Sequence, residues 1–219
     1  MTRILIVEDD VRTANLLRLY LQQAGYEVLL AYDGMAALDL ALRSPSPTIK
    51  IEFQGGEPLL NFPLIRQVVC EAKRRNPGKE LAFVIATNLA LISPEILEFC
   101  QEHQILISTS LDGPKDLHNA NRPRPGGDSY EKAIEGIRLA RNSLGGDKVS
   151  ALMTTTERSL NKVKEIVDEY LAQGFDGIFL RPLSPYGFAI KTKSYAKYNL
   201  RNHRDVVQLL TDLTKTAKT

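Results

Sequence analysis

Ile49-Lys50-Ile51-Glu52-Phe53-Gln54-Gly55-Gly56-Glu57-Pro58 is the stretch on which the reading of this chain turns. Apolar Ile49, Ile51 and Phe53 alternate with charged residues, which is the period of a half-buried strand. Two glycines end the run, and a helical period follows over residues 60–75. This strand–turn–helix unit recurs. Strand patterns fall at 4–7, 26–31, 81–86, 105–110, 149–154 and 177–180, and helical periods at 12–24, 35–43, 94–103, 129–144 and 159–173. Strands separated by helices pair in parallel through crossovers. The expected class is α/β, with parallel strands and alternating helices. Seven strands in one series suit either an open sheet or a partial barrel.

Local chemistry marks the boundaries. Ser93 before Pro94 and Glu95 reads as a helix cap followed by proline in the first turn. Gly25 and Gly174 each follow a helical pattern, where a positive φ is needed. Pro77-Gly78 breaks the helix before the fourth strand. Ser44-Pro45-Ser46-Pro47 reads as a junction, and the loop over residues 119–128, with Pro123, Pro125 and paired glycines, suits a ligand cover. Beyond Pro185, Lys191, Lys193, Lys197, Arg201 and Arg204 make a basic connector. Val206, Val207, Leu209, Leu210 and Leu213 then outline an amphipathic helix.

The net charge of +2 on 219 residues gives no argument for a nucleic-acid partner. It is unevenly placed. Residues 1–47 hold four Lys/Arg and six Asp/Glu, a charge of −2, and the remainder holds 24 and 20, a charge of +4. No apolar run reaches membrane-spanning length and no signal-peptide pattern precedes the first strand, so no membrane partner is expected and the cytoplasm is the expected location. Cys70 and Cys100, the two cysteines, lie in separate helical patterns and read as buried small hydrophobes.

The first 43 residues carry Arg3-Ile4-Leu5-Ile6-Val7-Glu8-Asp9-Asp10, Leu16-Leu17-Arg18-Leu19-Tyr20-Leu21, Gly25-Tyr26-Glu27-Val28 and Asp33-Gly34 with Ala36-Ala37-Leu38. This string resembles the opening half of a response-regulator receiver domain, a flavodoxin-like fold. The resemblance implies a magnesium site at Glu8, Asp9 and Asp10, whose carboxylates are hard ligands at a strand's end. It also implies a phospho-accepting aspartate at the end of the third strand. Phe53 stands about there, so phosphotransfer is not expected. Three acids after a strand also suit a solvated loop with one helix cap.

Residues 44–190 carry, in order, Gln54–Pro58, Ala86-Thr87-Asn88, Ser108–Pro114, His118-Asn119-Ala120-Asn121-Arg122 and Arg181-Pro182-Leu183. Together these resemble the radical SAM partial TIM barrel of peptide- and protein-modifying maturases, of the sulfatase-maturating and His-Xaa-Ser system types. The resemblance implies S-adenosylmethionine binding by Gln54, Gly55, Gly56, Glu57, Pro58, Asn88, Ser110, Asp112 and Arg122. In that reading Gly55-Gly56 lets backbone oxygens approach the ligand's ammonium, with Glu57 adding negative charge. Ser110 meets the ribose or carboxylate end. Arg122 pairs with the carboxylate through its planar fork. A peptide or protein substrate is implied as partner. His118 reads as a loop hydrogen-bond partner and His103 as a helix-end residue; His203 belongs to the tail.

The family holds a [4Fe–4S] cluster on three cysteines of a CxxxCxxC loop after its first barrel strand. Here the strand at 26–31 and Tyr32-Asp33-Gly34 occupy that place, without a cysteine. The expected domains are therefore a receiver-like half-domain over 1–43, a partial barrel lacking its cysteine-loop unit over 44–190, and a connector with a helix over 191–219. The expected function is that of a radical SAM maturase by ancestry, unable alone to start radicals. The alternatives are a receiver-like phosphorelay or protein-interaction module, or a chimera without evolved function.

Overall fold

A computed structural model describes residues 3–43, 48–182 and 207–208. All seven expected strands are present among them. The chain divides into two compact units, one of Met1–Ile51 with Pro63–Ala82, the other of Glu52–Phe62 with Phe83–Thr219.

The first unit opens with β1 (Arg3–Val7), α1 (Val11–Gln23), β2 (Glu27–Ala31) and α2 (Gly34–Arg43). β1 and β2 pair in parallel, from Arg3 opposite Glu27 to Val7 opposite Ala31. They form a two-stranded sheet of their own, so among the described residues these two strands do not join the later ones in one sheet. Ile6, Ala14 and Ala31 are buried here. α1 closes at Ala24, and Gly25 follows at φ +86°, a conformation that a Cβ would strain. The same unit holds the start of β3 (Thr48–Phe53), most of α3 (Phe62–Arg75) and the start of β4 (Glu80–Thr87). Ile65, Val69 and Ala72 make a buried stripe at helical spacing on α3. The Thr48 hydroxyl donates to Glu80 at 3.2 Å, tying the starts of β3 and β4.

The second unit holds the carboxyl ends of β3 and β4. It continues with α4 (Pro94–His103), β5 (Leu106–Ser110), α5 (Lys115–Asn121), α6 (Ser129–Leu144), β6 (Val149–Thr155), α7 (Val163–Ala172) and β7 (Phe179–Pro182). The sheet runs β3-β4-β5-β6-β7 in sequence order. The last three pairings are parallel, with Val84 opposite Leu106, Ile107 opposite Val149 and Leu152 opposite Phe179. The two-residue period of a strand sorts the faces. Ile107, Val149, Ala151 and Met153 are buried, while the alternate Ser108, Ser110, Leu152 and Thr154 are less so.

Gln54 and Arg181 show how this sheet curves. They lie at the ends of its first and last strands, and the Arg181 Nη2 donates to Gln54 Oε1 at 3.2 Å. Five strands laid flat would put their outer members about 19 Å apart at ~4.8 Å each. The hydrogen bond therefore requires the sheet to curl, as in a partial barrel.

Ser93 caps α4 by accepting from the Ile96 N–H at 3.3 Å, and Pro94 begins the helix. Two details depart from expectation. α5 takes Asn119–Asn121 out of the expected 119–128 loop, and β7 starts two residues later than its apolar pattern. Among the described residues no helix is long and apolar enough to cross a membrane. The 44–47 junction, Leu183, the basic connector with His203, and the final helix apart from Val207 and Gln208 lie outside the described residues.

Candidate functional site

The carboxyl ends of the five strands surround a polar cleft, where ligands of parallel α/β sheets collect. β3 and its turn supply Glu52, Gln54, Gly55 and Gly56. β4 supplies Ala86, Thr87 and Asn88, and β5 supplies Ser108, Thr109 and Ser110. β6 gives Leu152 and Thr154, β7 gives Arg181, and Arg122 enters from the end of α5. Hydroxyls and amides dominate the wall.

The glycine pair has no structural requirement to be glycine. Neither Gly55 nor Gly56 has a positive φ, and a Cβ built on either would meet nothing within 4 Å. The space in front of this turn is open to a ligand. Thr109 lies in the same wall, 1% exposed, and its hydroxyl finds no partner among the described residues. Strand alternation turns its side chain to the Ile107 face, opposite Ser108 and Ser110.

Glu57 does not line the cleft; it braces it. Its Oε1 accepts from the Thr87 hydroxyl at 2.6 Å and the Leu59 N–H at 3.1 Å, and its Oε2 accepts from the Asn88 N–H at 2.8 Å. One carboxylate thereby joins the turn after β3 to the end of β4. Pro58 begins the short 3-10 turn beside it. Asn88 lines the cleft while its Oδ1 accepts from the Ala90 N–H at 2.8 Å.

Asp112 is also behind the wall rather than in it. It is 1% exposed. Its Oδ2 accepts from Arg122 Nε at 2.9 Å, and its Oδ1 accepts from Arg122 Nη2 at 3.0 Å and from the Thr154 N–H at 2.9 Å. Arg122 therefore reaches the cleft already held. The buried His118 accepts through Nδ1 from the Asp112 N–H at 3.2 Å, the loop hydrogen bond its sequence context suggests. Burial pushes its pKa down to about 4, with nearby Asp112 acting in the opposite direction, so the imidazole is neutral at pH 7.

The acids of the first unit are engaged locally. Asp10 caps α1, accepting from the Thr13 N–H at 2.7 Å, and Glu8 Oε1 accepts from the Asp10 N–H at 3.1 Å. Among the described residues no three His, Cys, Asp or Glu side chains converge on a metal position. Among these residues Glu8, Asp9 and Asp10 are not brought together as a magnesium site.

The cysteines do not fit an iron–sulfur cluster. Cys100 is buried on α4, and burial pushes its thiol up to about 12. Cys70 is exposed on α3, against the expectation of burial, because it falls outside the Ile65–Val69–Ala72 stripe. Neither lines the cleft. A cluster needs several thiolates at one place.

Thr154 and Arg181 were not among the expected ligand residues. The strand period could have found Thr154, which shares the cleft-side face of β6 with Leu152. Arg181 carries less signal, since a single arginine ends a weak apolar run.

A family model described as "Radical SAM superfamily" matches residues 36–170. An uncharacterised protein of Methanothermobacter thermautotrophicus is 34% identical over 135 residues, 61% of this chain and 49% of that protein. The cysteine-type anaerobic sulfatase-maturating enzyme of Clostridium perfringens is 30% identical over 158 residues, 67% of this chain and 42% of that enzyme. The solved structure of native anSMEcpe with bound AdoMet and Cp18Cys peptide superposes with a TM-score of 0.66 at 23% identity, covering 80% of this chain and 49% of that one. The chain thus spans about half the length, or less, of the proteins it matches.

Proposed function

The chain belongs to the radical SAM superfamily, and on that basis we propose that its strand-end cleft binds S-adenosylmethionine in a barrel descended from peptide- or protein-maturing enzymes. The observation that carries this reading is the open Gly55-Gly56 turn, which faces Asn88, Ser110 and Arg122 across one cleft and needs glycine for no reason internal to the fold. Backbone oxygens there suit the ligand's ammonium, the hydroxyls its ribose, and Arg122 its carboxylate. Likeness to anaerobic sulfatase-maturating enzymes supports a peptide or protein substrate. In the family an iron–sulfur cluster supplies the electron that cleaves S-adenosylmethionine. With Cys70 and Cys100 as placed, these 219 residues do not hold that cluster, and the chain alone starts no radical reaction.

Titration calorimetry with S-adenosylmethionine tests the binding. Wild type is expected to bind saturably. Gly56→Val, whose Cβ meets nothing within 4 Å, should keep its melting temperature and lose at least tenfold in affinity; equal affinity would remove the cleft from consideration. Anaerobic iron–sulfide loading followed by paramagnetic resonance tests the second half, and a [4Fe–4S] signal from this chain would refute it.

A second reading concerns residues 1–43. Their β1-α1-β2-α2 order is that of a receiver's opening half, and Val7, Val11, Leu19, Tyr20 and Met35 are exposed. This favours a protein-contact role without phosphotransfer, and stable labelling by acetyl phosphate would contradict it.

A further inference from the structure

Resting on the reading of the cleft as an S-adenosylmethionine site, we infer that Asp112 is a positioning residue. It holds one edge of the Arg122 guanidinium so that the opposite end is presented to the ligand's carboxylate.

A guanidinium has five N–H donors in a fixed plane. Asp112 takes the side edge, Nε and Nη2, with bonds of 2.9 and 3.0 Å. A longer contact of 3.4 Å runs from Nη2 to the Thr154 hydroxyl. Among the described residues Nη1 makes no hydrogen bond, and Arg122 lines the cleft while Asp112 does not. The free end of the fork is the part that can take a second carboxylate.

Asp112 is itself fixed from two directions besides the arginine. The Thr154 N–H donates to its Oδ1 from β6. Its own N–H donates to His118 on α5. The Arg122 N–H donates to the His118 carbonyl at 2.9 Å, so the last turn of α5 sets where the arginine starts. β6 and α5 thus define the angle of one side chain.

The alternative role for a buried carboxylate behind an arginine is electrostatic, namely to cancel its charge. The two roles predict opposite signs. If Asp112 only screened Arg122, removing its charge would tighten binding of a carboxylate ligand. If it positions Arg122, removing it frees the side chain to swing and weakens that binding.

The experiment is calorimetry on the full chain with S-adenosylmethionine and with 5′-methylthioadenosine, which lacks the amino-acid carboxylate. Asp112→Asn is expected to lose about tenfold in affinity for S-adenosylmethionine, the scale of one charge-assisted hydrogen bond, and to hold methylthioadenosine within about twofold. Unchanged or tighter S-adenosylmethionine binding by Asp112→Asn, with wild type binding normally, overturns the inference alone. Wild type binding neither ligand overturns the cleft reading as well. Should Asp112→Asn show no cooperative melting, nuclear magnetic resonance of the unmodified chain decides. The Arg122 Nε–H resonance, assigned by its loss in Arg122→Lys, is expected to stay protected when S-adenosylmethionine is added. Its exchange into solvent on ligand addition overturns the inference.

Discussion

Acidic side chains work at short range in the β1–α2 region and at long range around the cleft. Glu8, Asp10 and Asp33 each accept from a backbone N–H two or three residues away, as helix starts and turns do anywhere. Glu57 reaches Thr87 and Asn88, thirty and thirty-one positions on, and Asp112 reaches Thr154 across 42. Among the described residues the first region shows the long-range pair Arg3 with Glu27. It is a cross-strand contact with both side chains well exposed, of the kind that contributes little. A local cap fixes a helix end. A buried or half-buried carboxylate joining distant strands fixes the mouth of a barrel, at a desolvation cost that only good geometry offsets. The difference separates acids that make a fold possible from acids that give a cleft one shape.

The sharpest way to break this contrast is to delete one acid of each kind. Asp112→Ala leaves the Arg122 fork and the Thr154 N–H without their acceptor in a buried place. The expected loss is about 3 kcal/mol, reduced from the fully buried case because the Arg122 side chain is 29% exposed. Asp10→Ala removes one solvent-facing cap, and its loss should be several-fold smaller. Urea denaturation of both variants measures the two losses. If Asp10→Ala costs as much as Asp112→Ala, range is not what distinguishes the regions.

A pH titration sharpens the contrast without mutating an acid. The His118 pKa is pushed down to about 4 by burial, against an ordinary 6.5. The unfolded chain therefore binds the extra proton first. The neutral imidazole's contribution is complete above about pH 6.5 and is lost as pH falls from there towards 4. The full span is worth about 3 kcal/mol. Wild type minus His118→Asn, measured at pH 7 and pH 4.5, isolates this group, because carboxylates common to both proteins cancel in the difference. A difference that does not change with pH would mean the ring is accessible to water, and the Asp112 support looser than its bonds suggest.

Periodicity and cap chemistry made most of the fold legible. Ser93-Pro94 started α4 where expected, Gly25 closed α1, and the seven apolar runs became seven strands. α5 was missed because seven residues after Pro114 are too short to show a helical period. The end of α4 carried no glycine signal, since Gln104 itself takes the left-handed conformation at φ 54°. In the cleft, glycines and strand-end polar residues identified the place. What sequence could not resolve was which acids face a ligand and which stand behind one. Glu57 and Asp112 both sit in ligand-like motifs, and only their partners, thirty to 42 positions away, show that each is engaged elsewhere.

Two glycines test packing in place of charge. Gly136 lies buried on α6 against Leu89, a residue held at φ +60° just past the end of β4. A methyl at Gly136 would collide with the Leu89 Cβ and lie 3.2 Å from its carbonyl oxygen. Leu89 cannot retreat easily, because its N–H donates to the Thr87 hydroxyl that in turn donates to Glu57. Gly136→Ala should therefore cost about 1–2 kcal/mol by overpacking, and should weaken cleft binding through Thr87. Gly34→Ala, at the start of α2, meets nothing within 4 Å and needs no special φ, so it should be neutral or stabilise by up to about 1 kcal/mol. Paired thermal melts with S-adenosylmethionine titrations measure both. A Gly136→Ala protein as stable as wild type would show that the wall behind Glu57 yields, and that the long-range braces do not depend on the packing beneath them.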